Sequence, residues 1–351
     1  MDIFERMAKH EHEQLMFWSE PELGYKGIIA IHDTTLGPAL GGTRFWNYAS
    51  DEEAIVDALR LARGMSYKAA VAGLNLGGGK SVIVGDNKTR YREMIFRAHG
   101  RAVESLGGRY ITAEDVGTSP DDMEYVLMET DSVVGIYGRS GDPSPVTAHG
   151  VYMGIKAAAK HRYGDESLDG KHVAVQGVGH VGYYLCQYLH EEGARLTVTD
   201  IDPERVQRTV EDFGATPVET ADIYAVDADI FAPCALGAVI NDDTLPVFTF
   251  DIIGGAANNQ LARTHHGRAI AEKGILYAPD YVINAGGLIN VYGELKEWSP
   301  ERSRRKAGEI YETLLQIFQR AQDEGIPTAE AADRVAEQRI QKARHLQRSW
   351  V

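Results

Sequence analysis

Two lysines are the side chains in this sequence whose surroundings best suit chemistry. Lys80 follows the glycine run Gly77–Gly79, and Lys68 stands twelve residues earlier. Glycine carries no Cβ atom, so this backbone can pass close to a ligand. A lysine that ends such a run is expected to be partly desolvated, which lowers its pKa towards the range in which an amine exchanges protons near neutral pH. From this stretch alone, a flexible surface turn with a solvated lysine is an equal alternative.

Two further stretches could present groups to a ligand. Gly41 and Gly42 lie in a glycine-rich turn, where their backbone amides could meet an anion beside Arg44. Asp115 follows a strand predicted over 109–112, and residues at a strand end are well placed to enter a cleft. A plain turn is the alternative for both stretches, because glycine and acidic residues favour turns.

The clearest motif is a glycine pattern between a predicted strand and a predicted helix. The strand His172–Gln176 leads into Gly177-Val178-Gly179-His180-Val181-Gly182, a helix follows over 183–192, and the next strand ends in Asp200. This G-x-G-x-x-G context is typical of dinucleotide binding: the first glycine makes a tight turn, the second admits the pyrophosphate, and the third lets the helix pack closely. Asp200 is expected to bind the adenosine ribose and to repel a 2′-phosphate, which favours NAD over NADP, although Arg205 is near enough to offer that phosphate a cation.

The elements that must position these residues alternate between helix and strand, which predicts an α/β fold. The apolar spacing predicts an opening helix over 3–18, a strand over 25–32, a helix of about four turns after Ser50, and a loop that carries Lys80. Three later segments end in small residues and an amide, and they are predicted strands of a doubly wound sheet, over 229–237, 249–259 and 281–291. From Pro300 onward the chain is predicted to be helical.

The length and one linker-like segment divide the chain. Because 351 residues exceed what one compact core usually holds, two domains are expected. The segment over 131–145 is rich in glycine, serine and proline, which disfavour helix and strand, so it is the predicted boundary. The predicted domains are 1–137 and 145–325, and the last helix, within 328–351, is predicted to return to the first domain.

Composition and charge exclude several classes of protein. The formal net charge is −15, which disfavours general binding to nucleic acid or to an acidic membrane surface. The two cysteines, Cys186 and Cys234, show no metal-ligand spacing, so neither a disulfide framework nor a metal site is expected. The N-terminal residues lack a signal-peptide pattern and no apolar run approaches a membrane span, so a cytoplasmic protein is expected.

Taken together, the motifs resemble those of the glutamate/leucine/phenylalanine/valine dehydrogenase family. The resemblance runs nearly end to end, with matching motifs in the right order at 37–44, 64–68, 74–80, 113–118, 145–148, 232–237 and 284–287. It implies an α/β substrate-binding and oligomerisation domain, joined by the C-terminal helix, and a Rossmann-type NAD-binding domain. It further implies a homo-oligomer, of eight subunits by family resemblance.

The resemblance also implies the chemistry, which is the reversible oxidative deamination of an L-amino acid to its 2-oxo acid and ammonia. Lys68 would then bind the substrate carboxylate with the backbone of Gly41 and Gly42. Lys80 would activate water for attack on the imine, and Asp115 would exchange protons with the substrate nitrogen. The implied cofactor-binding residues, besides the glycine motif and Asp200, are Arg44, Thr147, Ala235, Leu236, Asn259 and Asn284.

The resemblance further implies that the substrate side chain packs against an apolar wall, formed by Leu40, Met65, Ala113, Leu288 and Val291. An unpaired glutamate carboxylate would be costly to bury there, so glutamate is disfavoured. Ala113 narrows the pocket relative to the glycine of phenylalanine enzymes, whereas Leu288 is found in some of them, and one methylene discriminates by only about 1–3 kcal/mol. Leucine is the expected substrate, with valine and isoleucine accepted. A phenylalanine or valine dehydrogenase is the alternative.

Two alternatives come from other classes of protein. A dinucleotide-binding regulatory protein would keep the glycine motif without catalysis, but it would need none of Lys68, Lys80 and Asp115. A structural protein or a nucleic-acid partner would need a basic stripe, and none occurs in the sequence. An enzyme that acts on a small amino acid is therefore preferred.

Overall fold

The computed structural model describes residues 2–138 and 141–348, the side chains of 347 and 348 excepted. The chain divides into two compact units: Met1–Gly141 with Glu294–Glu297 and Ala336–Val351, and Asp142–Gly293 with Trp298–Val335. Residues 139 and 140 of the predicted linker lie outside the described residues. The predicted domain limits stay a prediction.

The first unit is built on one mixed sheet. Its helices and strands among the described residues are α1 (Ile3–Lys9), β1 (Gln14–Glu20), β2 (Tyr25–Asp33), β3 (Ala39–Trp46), α2 (Asp51–Val71), β4 (Gly77–Val84), α3 (Arg92–Glu104), β5 (Tyr110–Glu114) and α4 (Pro120–Leu127). The strand order is β1-β2-β4-β3-β5. β2 pairs with β1 and β4 antiparallel, whereas β3 is parallel to both β4 and β5. The carboxyl ends of β3, β4 and β5 therefore lie at one edge of the sheet.

Helix α2 packs directly on β4. Its start is fixed by Ser50, whose side chain accepts a hydrogen bond from the amide of Glu53, as a capping box predicts. A Cβ atom on Gly78 would lie 2.0 Å from the amide nitrogen of Ser66, so only glycine allows this approach. The helix is longer than expected, and Lys68 lies in its last turns rather than after its end.

Two expectations for the first unit are wrong. The opening helix ends at Lys9, with Glu11 in the left-handed region at φ 57°, and residues 14–20 form β1. Pairing with β2 overrides the weak helical periodicity there. Gly41 and Gly42 lie within β3, and Lys80 lies within β4, so neither segment is a loop.

The second unit contains one parallel sheet flanked by helices. Its elements among the described residues are α5 (Ser144–Tyr163), β6 (His172–Gln176), α6 (His180–Glu191), β7 (Arg195–Thr199), α7 (Pro203–Phe213), β8 (Thr216–Pro217), β9 (Ile230–Pro233), β10 (Ile252–Ile253), α8 (His266–Glu272), β11 (Leu276–Tyr277), α9 (Asp280–Ile283), α10 (Gly286–Leu295), α11 (Pro300–Gly308), α12 (Ile310–Glu324) and α13 (Thr328–Arg348). The order β11-β10-β9-β6-β7-β8 reverses between β6 and β9. This is the doubly wound Rossmann-type arrangement, which binds its ligand at that switch point.

The segment 281–291 is helical, which corrects the prediction of a third strand there. Its buried apolar residues include Val282, Ile283, Leu288 and Ile289, a helical rather than a two-residue spacing. A Cβ atom on Gly286 would lie 2.6 Å from the Cα of Thr147. The glycines here thus allow a close crossing of α10 and α5, not the end of a strand.

Helix α13 returns to the first unit, as predicted. Its residues from Ala336 onward belong to that unit. Nη1 of Arg339 donates hydrogen bonds to the carbonyl oxygens of Leu74 at 2.7 Å and Ala70 at 3.1 Å. The helix dipole favours a cation at the carboxyl end of α2, and this one links the last turn of α2 to the segment that leads into β4.

Candidate active site

Two cationic side chains of the first unit, Lys80 and Arg44, donate hydrogen bonds to one carboxylate oxygen of Asp115. Lys80 on β4 is 5% exposed, and its Nζ donates a hydrogen bond of 2.7 Å to Oδ2 of Asp115, directly after β5. Nε of Arg44 on β3 donates to the same Oδ2 at 3.0 Å. The parallel strands β4, β3 and β5 place these residues at one sheet edge, although 35 positions separate Lys80 from Asp115.

The glycines of β3 make this convergence possible. A Cβ atom on Gly42 would lie 2.4 Å from the carbonyl oxygen of Glu114 and 2.9 Å from the Cβ of Asp115. A Cβ atom on Gly41 would lie 1.7 Å from the carbonyl oxygen of Gly79. These contacts are shorter than real side chains make, so β3 accepts only glycine where Asp115 and β4 approach it.

Burial and charge set the protonation of this pair. Burial lowers the pKa of Lys80; the charge of Asp115 opposes that effect only in part, and Arg44 lowers the pKa further. Burial alone would raise the pKa of Asp115, but Lys80 and Arg44 outweigh it and hold the pKa below its ordinary value. The arrangement therefore contains a carboxylate that stays ionised beside an amine that can lose its proton.

A buried polar network lies next to these strands. Oγ1 of Thr43 is 2.6 Å from Oγ of Ser81 and 2.9 Å from Nε2 of His99. Burial lowers the pKa of His99 to about 3, so its ring is neutral. The hydroxyl of Tyr110 donates to the carbonyl oxygen of Gly41 at 2.5 Å. Sequence reasoning missed this network, whose only signal is a set of polar residues within apolar strands.

The other predicted residues of the first unit take ordinary positions. Lys68 and Met65 are half-buried on α2, the helix that packs on β4. Leu40 is buried on β3, and Ala113 is half-buried on β5. Their roles toward a substrate stay predictions.

The second unit forms a glycine-lined cradle at the switch point of its sheet. Gly177 has φ +91°, and a Cβ atom there would lie 2.6 Å from the Cβ of Ala235. A Cβ atom on Gly182 would lie 2.0 Å from the carbonyl oxygen of Gly177, whereas at Gly179 the nearest atom is an Arg205 nitrogen at 3.4 Å. The first and third glycines thus serve packing, and the second leaves open space for a pyrophosphate.

The cradle has the polar groups that a dinucleotide needs. The amide of Val178 donates to Oδ2 of Asp200 at 2.8 Å, which fixes this carboxylate at the end of β7. No side chain caps the amino end of α6, so its amides are available to a phosphate. A cavity of about 340 Å³ opens here, lined by Asp142, Val178, Gly179, His180, Tyr183, Tyr184, Arg205 and Arg208. The residues present therefore fit a dinucleotide.

The remaining predicted residues of the second unit differ in exposure. Asn284 is buried, and its Nδ2 donates to Oδ1 of Asn258 at 2.7 Å; Oγ1 of Thr147 donates to the carbonyl of Pro143 at 2.9 Å. Leu236 is 77% exposed after β9. Ala235 and Asn259 are exposed, Val181 and Val291 are half-buried, and Leu288 is buried. Their roles toward a cofactor or a substrate stay predictions.

One group of metal-ligand residue types occurs among the described residues. Asp242, His265 and His266 bring their ligand atoms within 4.8 Å of one another. The amide of Arg263 donates to Nδ1 of His266 at 3.0 Å, so the neutral ring carries its proton on Nε2, which lies 3.1 Å from Asp242. A protonated nitrogen has no lone pair for a metal, and we assign the contact to hydrogen bonding.

Among the described residues, no helix has both the length and the apolar character that a membrane span requires.

Residues 12–132 match the family model described as "Glu/Leu/Phe/Val dehydrogenase, dimerisation domain". Residues 138–203 and 197–348 match the model described as "Glutamate/Leucine/Phenylalanine/Valine dehydrogenase".

Relatives and a solved structure agree with these matches. The leucine dehydrogenase of Bacillus subtilis (strain 168) is 59% identical over 347 residues, which cover 98% of this chain and 95% of that protein. The phenylalanine dehydrogenase of Bacillus thermotolerans is 50% identical over 346 residues, which cover 96% and 90%. The crystal structure of L-tryptophan dehydrogenase from Nostoc punctiforme has a TM-score of 0.89 at 49% identity and covers 97% of this chain and 99% of that one.

The fold, the dinucleotide cradle and these relatives define an amino-acid dehydrogenase. The chain belongs to the Glu/Leu/Phe/Val dehydrogenase family. The resemblance drawn from its motifs is confirmed, and the alternative of a regulatory protein without catalysis is not supported.

Proposed function

We propose that this chain catalyses the reversible, NAD-dependent oxidative deamination of L-leucine, and that it also accepts valine and isoleucine. The reaction converts the amino acid, NAD⁺ and water into the 2-oxo acid, ammonium and NADH, with release of one proton. The observation that carries the proposal is the partly buried contact of 2.7 Å between Lys80 and Asp115. It pairs an amine of lowered pKa with a carboxylate that is ionised, and can therefore accept a proton, before the substrate binds.

The residues of the first unit supply the binding and proton steps. Lys68 is a fixed cation for the substrate carboxylate, which the backbone of Gly41–Gly42 also contacts. Asp115 accepts a proton from the substrate ammonium group and so prepares its nitrogen for imine formation. Lys80, as a neutral amine, takes a proton from the water that attacks the imine carbon. The C–N bond of the resulting carbinolamine then breaks as a proton passes from its hydroxyl oxygen to its nitrogen, so ammonia leaves and the 2-oxo acid remains.

The second unit would hold the cofactor. Its phosphates would lie at Gly179 and the amino end of α6, and its adenosine ribose would bind Asp200. Thr147, Asn284 and Asn259 would hold the nicotinamide or the substrate. When bound, the nicotinamide accepts a hydride from the substrate Cα. Asp200 supports NAD rather than NADP because a carboxylate repels a 2′-phosphate.

Leucine is supported by the residues assigned to the substrate side chain. Leu40, Met65, Ala113, Leu288 and Val291 are all apolar. The curated relatives named leucine dehydrogenase are 57–59% identical to this chain, against 50% for the phenylalanine enzyme and 49% for the tryptophan enzyme. Those last two names make an aromatic amino acid the second candidate substrate.

The test measures NADH formation at alkaline pH with leucine, valine, isoleucine, phenylalanine, tryptophan and glutamate in parallel. We expect the highest kcat/KM with leucine, and we expect Lys80→Ala to abolish turnover while NAD binding persists. Lys88→Ala, which removes an exposed lysine, is the matched control and should keep wild-type rates. A preference for phenylalanine or tryptophan would overturn the substrate assignment, and full activity of Lys80→Ala would overturn the proton role.

We also propose that the protein acts as a homo-oligomer in the cytoplasm, with eight subunits by family resemblance. The description of the matched N-terminal model as a dimerisation domain supports self-association. Light scattering on the purified protein tests it, and a mass equal to the 38.6 kDa chain would contradict it.

A further inference from the structure

Arg44 bridges two carboxylates. Its Nε donates to Oδ2 of Asp115 at 3.0 Å, and its Nη1 donates to Oδ2 of Asp57 at 2.8 Å. Asp57 is itself fixed, because the hydroxyl of Tyr48 donates to it at 2.8 Å and Arg60 donates to it at 2.9 Å. The Arg44 side chain is 20% exposed. Arg44 is therefore held in one place, with its other end against Asp115.

Arg44 and Lys80 share one acceptor atom. Oδ2 of Asp115 lies 3.0 Å from the arginine nitrogen and 2.7 Å from the lysine nitrogen, so the two cations cannot be farther apart than those lengths combined. Two positive charges this close repel each other where water is largely excluded. A guanidinium does not give up its proton in proteins, whereas a buried ammonium can. The repulsion is therefore relieved when Lys80 becomes neutral.

We propose that Arg44 is a positioning residue that sets the pH at which Lys80 gives up its proton, and that Asp57 holds Arg44 in that position. This inference rests on the proposed role of Lys80 and adds a residue that controls it. The role differs from the cofactor contact that the sequence predicted for Arg44.

The electrostatic surroundings agree with this assignment. Burial is the largest cause of the lowered pKa of Lys80, Asp115 opposes it, and Arg44 adds to the lowering. Asp57 also acts on Lys80, in the opposite direction to Arg44. Among the described residues, Glu114 and Tyr110 are also affected by the charge of Asp115. Arg44 is thus a positive charge that counteracts the carboxylates around Lys80.

The experiment compares pH profiles of kcat/KM for leucine in the wild type, Arg44→Gln, Arg44→Lys and Arg109→Gln. Arg109 directly precedes β5, at the opposite end of that strand from Asp115; it pairs with Glu13 at 2.9 Å and its side chain is 51% exposed, so its variant controls for the loss of one positive charge. We expect the rising limb of the kcat/KM profile of Arg44→Gln to move to higher pH by about one unit, because the remaining carboxylates then stabilise the charged form of Lys80. Arg44→Lys should restore part of the shift, and Arg109→Gln should match the wild type.

A second measurement reports on Lys80 without turnover. Competitive acetylation with trace acetic anhydride, followed by peptide mass spectrometry, gives the pH midpoint at which the Lys80 amine becomes reactive. We expect the midpoint to rise in Arg44→Gln and, by less, in Tyr48→Phe, which keeps the charges of Arg44 and Asp57 but removes the hydrogen bond of 2.8 Å that fixes Asp57. Circular dichroism confirms folding, and Tyr48→Phe carries the test if Arg44→Gln does not fold. Unchanged midpoints in both folded variants would overturn the inference even if leucine turnover is confirmed. A shifted midpoint without leucine turnover would instead count against the proposed substrate alone.

Discussion

Substitution of Gly42 by alanine should separate Asp115 from Lys80. The added Cβ would lie 2.4 Å from a backbone oxygen of Glu114 and 2.9 Å from the Cβ of Asp115. Ordinary contacts begin at 3.4 Å, so the end of β5 must retreat by about 1 Å. The contact of 2.7 Å between Lys80 and Asp115 then lengthens beyond a good hydrogen bond.

A misplacement of about 1 Å at reacting groups costs on the order of 10²-fold in rate, or about 2.7 kcal/mol. We expect kcat/KM of Gly42→Ala to fall by that factor and the free energy of unfolding to fall by about 1–3 kcal/mol. Steady-state kinetics and urea unfolding measure the two effects. Gly64→Ala is the control: its Cβ would meet nothing within 4 Å on α2, so stability should rise slightly. Wild-type activity and stability of Gly42→Ala would refute the reasoning.

Three further predictions address the cofactor, the buried network and acid stability. Asp200→Asn should lower the ratio of kcat/KM for NAD to that for NADP by about tenfold, because the charge that repels a 2′-phosphate is removed; an unchanged ratio would contradict the assignment. Tyr110→Phe leaves the carbonyl of Gly41 without its donor, so we expect a loss of about 1–3 kcal/mol in urea unfolding and a higher KM for leucine; an unaltered KM would argue against the Gly41–Gly42 contact. Burial lowers the pKa of His32 to about 4 and of His99 to about 3, from 6.5. The unfolded chain then binds more protons below pH 6.5, so stability should be full above that pH and fall towards pH 3, and thermal unfolding of His99→Gln should depend less steeply on pH than that of the wild type.

The dinucleotide cradle could be predicted from the sequence because its determinants are local. The strand, the turn at Gly177 and the helix after Gly179 follow one another within 20 residues, and Asp200 ends the next strand. The left-handed φ of Gly177 and the close contact of Gly182 are properties that the motif itself requires. Periodicity likewise located β2, the start of α2 and the helical C-terminal region.

The charged cluster could not be predicted in its detail, because its three residues come from separate strands. The sequence marked Lys80 and Asp115 as reactive but predicted a loop around the lysine. Only glycines fit at this start of β4, because α2, β2 and Tyr110 crowd the strand and exclude side chains. Arg44 was assigned to the cofactor, since nothing near it in sequence shows that it meets Asp115 and Asp57.

By itself the sequence determined the α/β class, the dinucleotide motif, the family and the residue types that can move protons. Those features depend on short segments whose conformation is set by neighbours along the chain. The tertiary structure alone decided that Gly42 must be glycine and that two cations share one oxygen of Asp115. Each of these depends on atoms brought together by strand pairing and helix packing, so the protonation of the candidate site is a property of the folded chain.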